Sequence, residues 1–515
     1  MSREGLRALD LSGKDWEALP LWASESPLPE ILAAFLPSRR WFGSKSRTIR
    51  KVRPEALLPL DGGVRGTIFL CLLRVVFEAG EDELYFLPLV RAVSGEVPEA
   101  GEIARLDPAD GNDALLADGF FVAETGRGLL REILSPDSSG SGLERVRTEI
   151  LEKRGVTFDP SLVPTVFGGE QSNTSLLFGH RLMLKGFRRL SPGMNPDLEV
   201  GEFLARQGEN VPIPATFGAL LAKTKEGDPL VLALLQEFVE NQGDGWSWFL
   251  SRLPAVLAGK SDGQSLDRMV KRLGTETARL HRALGKDPAD PDFAPRPFGE
   301  EDLTRLSEEI EERFGRLMGT LEEVLPRLPL SARTRAGLLL SRREDLGRFL
   351  SDCRARGAGG MRLRCHGDFH LGQVLVTSPE GVVFLDFEGE PALPLARRRL
   401  RTTPLQDVAG MLRSFHYLSM SALPPGPEGE ERAEEWHRGQ VRRYLRAYGA
   451  EMSTTPGLLP ESVQAGGILG LCLLRKALYE LLYEIDNRPG WLEIPLSGIL
   501  SLLEGPLPEF GGGEE

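Results

Sequence analysis

Cysteine is scarce: Cys71, Cys353, Cys365 and Cys472 are the four in 515 residues. None is spaced as a CxxC pair. That disfavours a metal cage or a redox motif, and the four read as reduced, mostly buried thiols of a cytoplasmic protein. Cys365 lies beside the strongest motif of the chain, but no activating base accompanies it, so it reads as packing. Long apolar runs are also lacking. No stretch approaches the roughly 20 apolar residues of a membrane span, and the run Ile468 to Leu474 is interrupted at once by Arg475 and Lys476. The opening Met-Ser-Arg-Glu-Gly-Leu lacks the apolar core of a signal peptide. Positive charge is in deficit, with a formal net charge of −13. Nucleic acid is therefore not expected as the main partner, because a phosphate backbone calls for a basic surface. Arg397-Arg398-Arg399 is one candidate for a local basic patch. No internal repeat is seen. A Walker A loop is missing too: Gly259-Lys260-Ser261 has its right end, but Pro254 stands where the first glycine belongs.

What is present is an ordinary globular composition, 41% hydrophobic, in a chain long enough for two to four domains. The front carries strand-like runs at Ala56 to Leu60, Thr67 to Phe77 and Glu83 to Val90, a small β-rich module. Residues 135–142, rich in serine and glycine, read as a solvated loop, and the tail 511–515 as disorder. Thr174 to Phe178 and Arg181 to Phe187 read as strands joined by a Gly179-His180 turn. From about Trp248 helical patterns dominate. The spacing predicts helices over Leu266 to Leu284, Glu301 to Leu328, Ser331 to Leu350 and Val463 to Asn487. Strands in front and helices behind make an α+β chain.

The chemistry concentrates in His366-Gly367-Asp368-Phe369-His370-Leu371-Gly372-Gln373 and Phe384-Leu385-Asp386-Phe387-Glu388-Gly389-Glu390-Pro391. Phosphoryl transfer from ATP needs one carboxylate to deprotonate a hydroxyl. It needs a second carboxylate and an amide oxygen to hold Mg²⁺. Asp368, Asp386 and Gln373 supply that kit, and the β-branched run Val382 to Leu385 reads as the strand presenting Asp386. A Gly-Asp dipeptide by itself is usually only a turn. The spacing from Asp368 to Gln373 parallels the Asp-x-x-x-x-Asn of protein kinases, with Gln replacing Asn. His366 and His370 stand four apart, but Gly367 argues against the helix that a zinc pair would need, so both read as loop-holding residues.

Lys185 ends an apolar strand and is placed to meet nucleotide phosphates, although a lone strand-end lysine more often sits in water. Glu199, opening the next helix, is the expected partner of Lys185; its plainer role is to complement the helix dipole. The loop Gly168 to Thr174 has Ser172 and Asn173 near backbone N–H groups suited to phosphates. Gln236, Glu237 and Val239 follow an apolar run and suit a hinge whose backbone bonds adenine. Lys476, Tyr479, Glu480, Tyr483, Glu484 and Arg488 recur at three- and four-residue intervals on one helix. With Trp491 they suit a sugar pocket as well as they suit a solvated, salt-bridged face.

These motifs, with Arg40-Trp41-Phe42-Gly43-Ser44-Lys45, Asp407 to Phe415 and Lys476 to Glu480, resemble the maltokinase family of the aminoglycoside-phosphotransferase and protein-kinase-like superfamily. The resemblance spans nearly the whole chain. It implies a bilobal protein-kinase-like fold. Residues 1–105 would be an N-terminal β-rich cap, 106–240 the rest of an N-lobe with nucleotide-binding strands and hinge, and 241–515 a helical C-lobe with the catalytic and sugar site. It implies ATP-dependent phosphorylation of maltose at its anomeric hydroxyl, giving maltose 1-phosphate for α-glucan synthesis, with trehalose synthase as a conceivable partner. By motif position Asp368 is the base, Gln373 and Asp386 are the Mg²⁺ ligands and Lys185 is the phosphate lysine. His366, Arg413, Lys476, Tyr479 and Tyr483 face the sugar. Departures are His416-Tyr417, where an acidic residue is expected before the tyrosine, and the Gln171-Ser172-Asn173 loop, which lacks a glycine-rich repeat. Two alternatives stand beside this reading. One is an amino-sugar kinase of the same fold, favoured by Glu388, Glu390 and Glu480. The other is a non-catalytic kinase-like binding module.

Overall fold

The computed structural model describes residues 6–107, 114–135, 142–168, 172–208, 211–423, 426–506 and 510. The serine- and glycine-rich loop at 136–141, residues 169–171 of the Gly168 to Thr174 loop, and the tail 511–515 lie outside the described residues. The chain forms two compact units, one of residues 1–206 and 214–240, the other of residues 207–213 and 241–515.

The first unit is built on two sheets. The seven-stranded one runs in the order Ala8–Asp10, Glu102–Asp107, Ala114–Asp118, Glu83–Val93, Thr67–Phe77, Ile49–Asp61, with Arg189–Leu190 joined to Glu83–Val93. It therefore extends past residue 105, to Asp118. The expected strand at Ala56 to Leu60 starts earlier, at Ile49, because a register shift between Pro54 and Ala56 lets the sheet absorb a proline that cannot donate to the ladder. The RWFGSK string packs against this sheet: Phe42 lies 5.1 Å from the Tyr85 ring, and Ser44 Oγ donates to Glu83 at 2.8 Å. The second sheet is antiparallel throughout, in the order Glu144–Arg147, Thr216–Lys223, Pro229–Glu237, Leu182–Gly186, Thr174–Phe178, Pro164–Val166. Its Gly179-His180 turn places both residues in the left-handed region.

A buried ion pair joins the two sheets. Arg188 is wholly buried and donates to both oxygens of Asp118 (3.2 and 2.6 Å) and to Thr174 Oγ1 (2.8 Å). Its guanidinium stacks on the rings of Trp41 and Phe120. Asp118 ends the strand Ala114–Asp118, Thr174 begins the strand paired with the Lys185 strand, and Trp41 belongs to the RWFGSK string, so one arginine ties the front module to the lysine hairpin. An uncompensated charge at such a site is expensive, which is why the pair is bidentate.

The second unit is helical except for short strand pairs. Gln264–Leu284 ends at Gly285, and Ser462–Asn487 ends before Pro489, both close to the sequence reading. The expected single helix from Ser331 to Leu350 is two, Leu330–Ser341 and Arg343–Ala355. Arg342 leaves the helical region there and pairs with Asp345 (3.1 Å) and Glu504 (2.9 Å). No proline or glycine marks that break, so nothing local in the sequence signals it. Glu301 to Leu328 holds as Glu300–Val324 followed by a tight turn at Leu325–Arg327. Among the described residues no helix is long and apolar enough to cross a membrane. All four cysteines are free and buried.

Candidate active site

Register brings the two motifs together. The strands Val374–Thr377 and Gly381–Phe384 pair with Val374 opposite Phe384. Leu385 N–H donates to the Gln373 carbonyl at 2.9 Å, which carries the pairing one step further. Asp386 then lies beside Gln373, whose Nε2 donates to Asp386 Oδ2 at 3.2 Å. Asp386 adopts a φ of +66°, a conformation that costs a non-glycine residue. The pair offers an amide oxygen and a carboxylate. Such hard oxygen donors fit Mg²⁺, which neutralises phosphate charge when bound.

The loop that carries Asp368 is fixed by Asp407. Its Oδ2 accepts His366 N–H at 2.7 Å and its Oδ1 accepts Gly367 N–H at 2.9 Å. Asp407 is buried on the helix Leu405–Ser421 and is braced by His281 Nε2 at 3.1 Å; the other ring nitrogen of His281 meets Tyr448 Oη at 2.9 Å. Burial would raise the Asp407 carboxyl, but the His281 bond, the His281 and His366 charges and the Gly367 N–H hold it below the ordinary range. His366 Nε2 donates to the Leu385 carbonyl at 2.7 Å, so the imidazole links the Asp368 loop to the turn bearing Asp386. Leu371 N–H donates to Ser414 Oγ at 3.1 Å. Two glycines permit this closeness. A Cβ on Gly367, whose φ is +86°, would stand 3.1 Å from the Gly389 Cα, and a Cβ on Gly410 would strike the Phe369 carbonyl oxygen.

Asp368 reaches into a cavity of about 720 Å³ whose wall includes Gly389, Glu390, Lys476 and Tyr479. Lys476 Nζ donates to Asp368 Oδ1 at 3.1 Å. Burial opposes the Lys476 ammonium, yet Asp368 and Glu480, with Glu390 beyond them, raise its pKa, so the side chain is a cation. His370 Nε2 lies 3.9 Å from Asp368 Oδ2, while its Nδ1 accepts Gly372 N–H at 3.1 Å. Burial depresses the His370 pKa, against the pull of Asp368.

The remaining expected sugar residues divide. Tyr479 lines the cavity and stacks on Tyr483, with ring centroids 6.4 Å apart; Tyr483 itself is 43% exposed. Arg488 bridges the Tyr483 and Trp491 rings, and Trp491 stacks on Tyr417. Arg413 and Glu480 spend their charges on each other, Nε to Oε2 at 2.8 Å, with the Arg413 side chain only 5% exposed. They tie the helix Leu405–Ser421 to the helix that carries Lys476 and do not line the cavity. His366 is likewise buried and acts on the loop backbone.

The expected nucleotide residues lie in the first unit. Lys185 is buried on the strand Leu182–Gly186, and its Nζ meets Asp197 Oδ2 at 3.1 Å. Asp197 stands two residues before Glu199 in the first turn of the helix Pro196–Gln207, and was not singled out in the sequence. Ser172 is exposed and Asn173 half-buried, directly before the strand Thr174–Phe178. Gln236 and Glu237 close the strand Pro229–Glu237, where Met183 opposes Gln236. The hinge reading needs amending here. Glu237 N–H is spent on the Ala215 carbonyl, Phe238 N–H on the Arg181 carbonyl, and the Glu237 carboxylate on Arg154 at 2.6 Å. Val239, half-buried, follows two residues after that strand.

Sequence reasoning did not give roles to Asp407, His281, Gly410 or Ser414. Asp407 and Gly410 are visible as an acid and a glycine in one helical turn of a noticed stretch, but their contacts are long-range and no spacing rule announces them.

Two lobes, one with a lysine-bearing antiparallel sheet and one with an Asp368 loop and an Asp386 turn beside helices, define a phosphotransferase of the kinase-like fold. The phosphotransferase enzyme family matches residues 164–450. The chain belongs to that family, and residues 35–120 match the maltokinase N-terminal cap domain. Glucosamine kinase of Streptacidiphilus jiangxiensis is 26% identical over 383 residues, 71% of this chain and 82% of that protein. Glucosamine kinase of Mycolicibacterium smegmatis is 26% identical over 337 residues, 65% and 78% of the two chains. A solved glucosamine kinase in complex with glucosamine, ADP and inorganic phosphate has the same fold, at TM-score 0.62 and 21% identity over 92% of this chain and 99% of that one.

Proposed function

We propose that the protein transfers the γ-phosphoryl group of ATP to the anomeric hydroxyl of maltose, giving maltose 1-phosphate. The observation that carries the reading is Asp368, fixed in a cavity wall by Lys476, on a loop whose far end delivers the Gln373–Asp386 pair. Asp368 accepts the proton of the attacking hydroxyl at its carboxylate. Lys476 holds one oxygen of that carboxylate and keeps the acid turned into the cavity. Gln373 and Asp386 would hold Mg²⁺, and Lys185 the nucleotide phosphates. Asp407 and His366 keep the base loop and the carboxylate turn at a fixed separation, the condition on which positional catalysis depends.

Maltose as acceptor is supported by the cap domain match and by a cavity with room for more than one hexose beside an aromatic stripe. An amino sugar is the second reading, favoured by Glu390 in the cavity wall and by relatives that are glucosamine kinases. Turnover of ATP with Mg²⁺ over a panel containing maltose, glucose and glucosamine separates them. Maltose as the best acceptor is expected; faster turnover of glucosamine overturns the maltose reading and keeps the kinase. No turnover with any sugar overturns the kinase reading in favour of a binding module.

A further inference from the structure

The cavity that holds Asp368 has a second end of different chemistry. Eight arginines and Lys476 line the whole against six carboxylates, in a chain that is −13 overall. The charges are not mixed evenly. The carboxylates on the helix Glu300–Val324 pair locally, Glu309 with Arg313 and Arg475, and Asp302 with Arg305 and Arg362. The excess cations collect where three chain segments meet. In the ladder of Arg296–Pro297 with Met361–Arg362, Arg296 stands directly opposite Arg362. The bridge between Leu363 and Thr402 brings Arg401 alongside them. Arg397, from the triple-arginine run, lines the same cavity.

Like charges set opposite one another across a ladder are destabilising. Among the described residues neither Arg296 nor Arg397 has a carboxylate partner. Arg401 gives one N–H to the Pro291 carbonyl and keeps a buried Nε with no acceptor. Burial, and then the charge of Arg296, hold the Arg401 guanidinium below its ordinary range, with Arg364 and Arg362 adding to the effect and Asp292 opposing it. Guanidinium donors with too few acceptors, lining a cavity, are the arrangement that takes a phosphate, whose oxygens match them bidentately.

We propose that Arg296, Arg397 and Arg401, beside the Asp302-paired Arg362, form a binding site for a phosphate group, carried by a small sugar phosphate or free in solution. The sugar of a bound ester would extend along the cavity toward Tyr479 and Asp368 and exclude the acceptor. The exclusion rests on the function proposed above; the binding does not.

Titration calorimetry on the full chain without nucleotide tests the binding, using glucose 6-phosphate, inorganic phosphate and glucose. Glucose 6-phosphate is expected to bind at least tenfold more tightly than glucose, and to weaken as salt rises. It should weaken at least tenfold in Arg296→Ala/Arg397→Ala, whose altered side chains are exposed and leave the core intact. Arg397→Glu alone should weaken it in the same direction. Ester tighter than inorganic phosphate identifies a sugar phosphate as the ligand; equal affinity identifies the free ion. Equal binding of glucose and glucose 6-phosphate, or phosphate binding indifferent to both variants, overturns the site. Neither result depends on whether any sugar is phosphorylated. Competition by glucose 6-phosphate against the acceptor in steady-state assays then tests the exclusion, and uncompetitive or absent inhibition overturns it.

Discussion

Lys476 Nζ lies 3.1 Å from Asp368 Oδ1, an ion pair made across more than a hundred residues by a helix and a loop that share one cavity wall. The ammonium is held charged by Asp368, Glu480 and Glu390 against the cost of its burial. The pair turns a surface-prone carboxylate into an oriented one. Lys476→Met should lower kcat by about 10²-fold, the typical loss on removing one preorganised electrostatic group. KM for ATP should change far less. A steady-state comparison checks this, and an unchanged kcat would contradict the orienting role.

Asp407 holds two backbone N–H groups and His281 inside the core. Asp407→Ala leaves all three without their acceptor. A stability loss of about 3 kcal/mol or more is expected from an uncompensated buried site. The damage to kcat should exceed the damage to acceptor KM, because the base loop loses its register. Denaturant unfolding and steady-state kinetics measure the two effects.

Gly410 touches the base loop through backbone alone. Gly410→Ala forces a methyl group against the Phe369 carbonyl. Overpacking of this kind costs about 1–3 kcal/mol, and here it pushes on the residue next to Asp368. A lower melting temperature with reduced kcat is expected. Gly439→Ala, where a Cβ meets nothing within 4 Å, is the control.

Acid should loosen the helical unit before it protonates most carboxylates. His416 and His437 lie with ring centroids 5.0 Å apart, and the Nδ1 of His416 accepts from Arg413 at 2.7 Å. Burial, then the Arg413 charge, depress both; His437 falls to about 4. The unfolded chain therefore binds protons at these sites that the folded chain refuses. Stability present above the ordinary histidine range is lost as pH falls from about 6.5 towards 4. Unfolding free energy measured across that window should decline, and His437→Gln should flatten the decline. A parallel decline in both proteins would contradict the assignment.

Local signals carried much of the fold. The Gly179-His180 turn, the Gly285 stop and the Pro489 stop were written in residues with few conformational choices, and the structure has all three. The two acidic motifs were legible as an acid, an amide and a second acid in order along a loop and hairpin, and the structure brings Gln373 beside Asp386. What stayed hidden depends on contacts distant in sequence. The Arg342 break rests on Glu504, far along the chain. Asp197 outranks no neighbour by composition, and only the approach of its helix to the lysine strand singles it out. The arginine run at 397–399 was visible as charge, but that Arg397 and Arg398 share a cavity with Arg296 and Arg362 depends on contacts distant in sequence.

The most direct test of the central claim is the phosphorus NMR spectrum of product formed from ATP, Mg²⁺ and maltose by the native protein and by Asp368→Asn. The native protein should give an anomeric sugar phosphate. The variant, folded to the same melting temperature within a few degrees, should form it at least about 10³-fold more slowly. Near-native rates from Asp368→Asn would contradict the account.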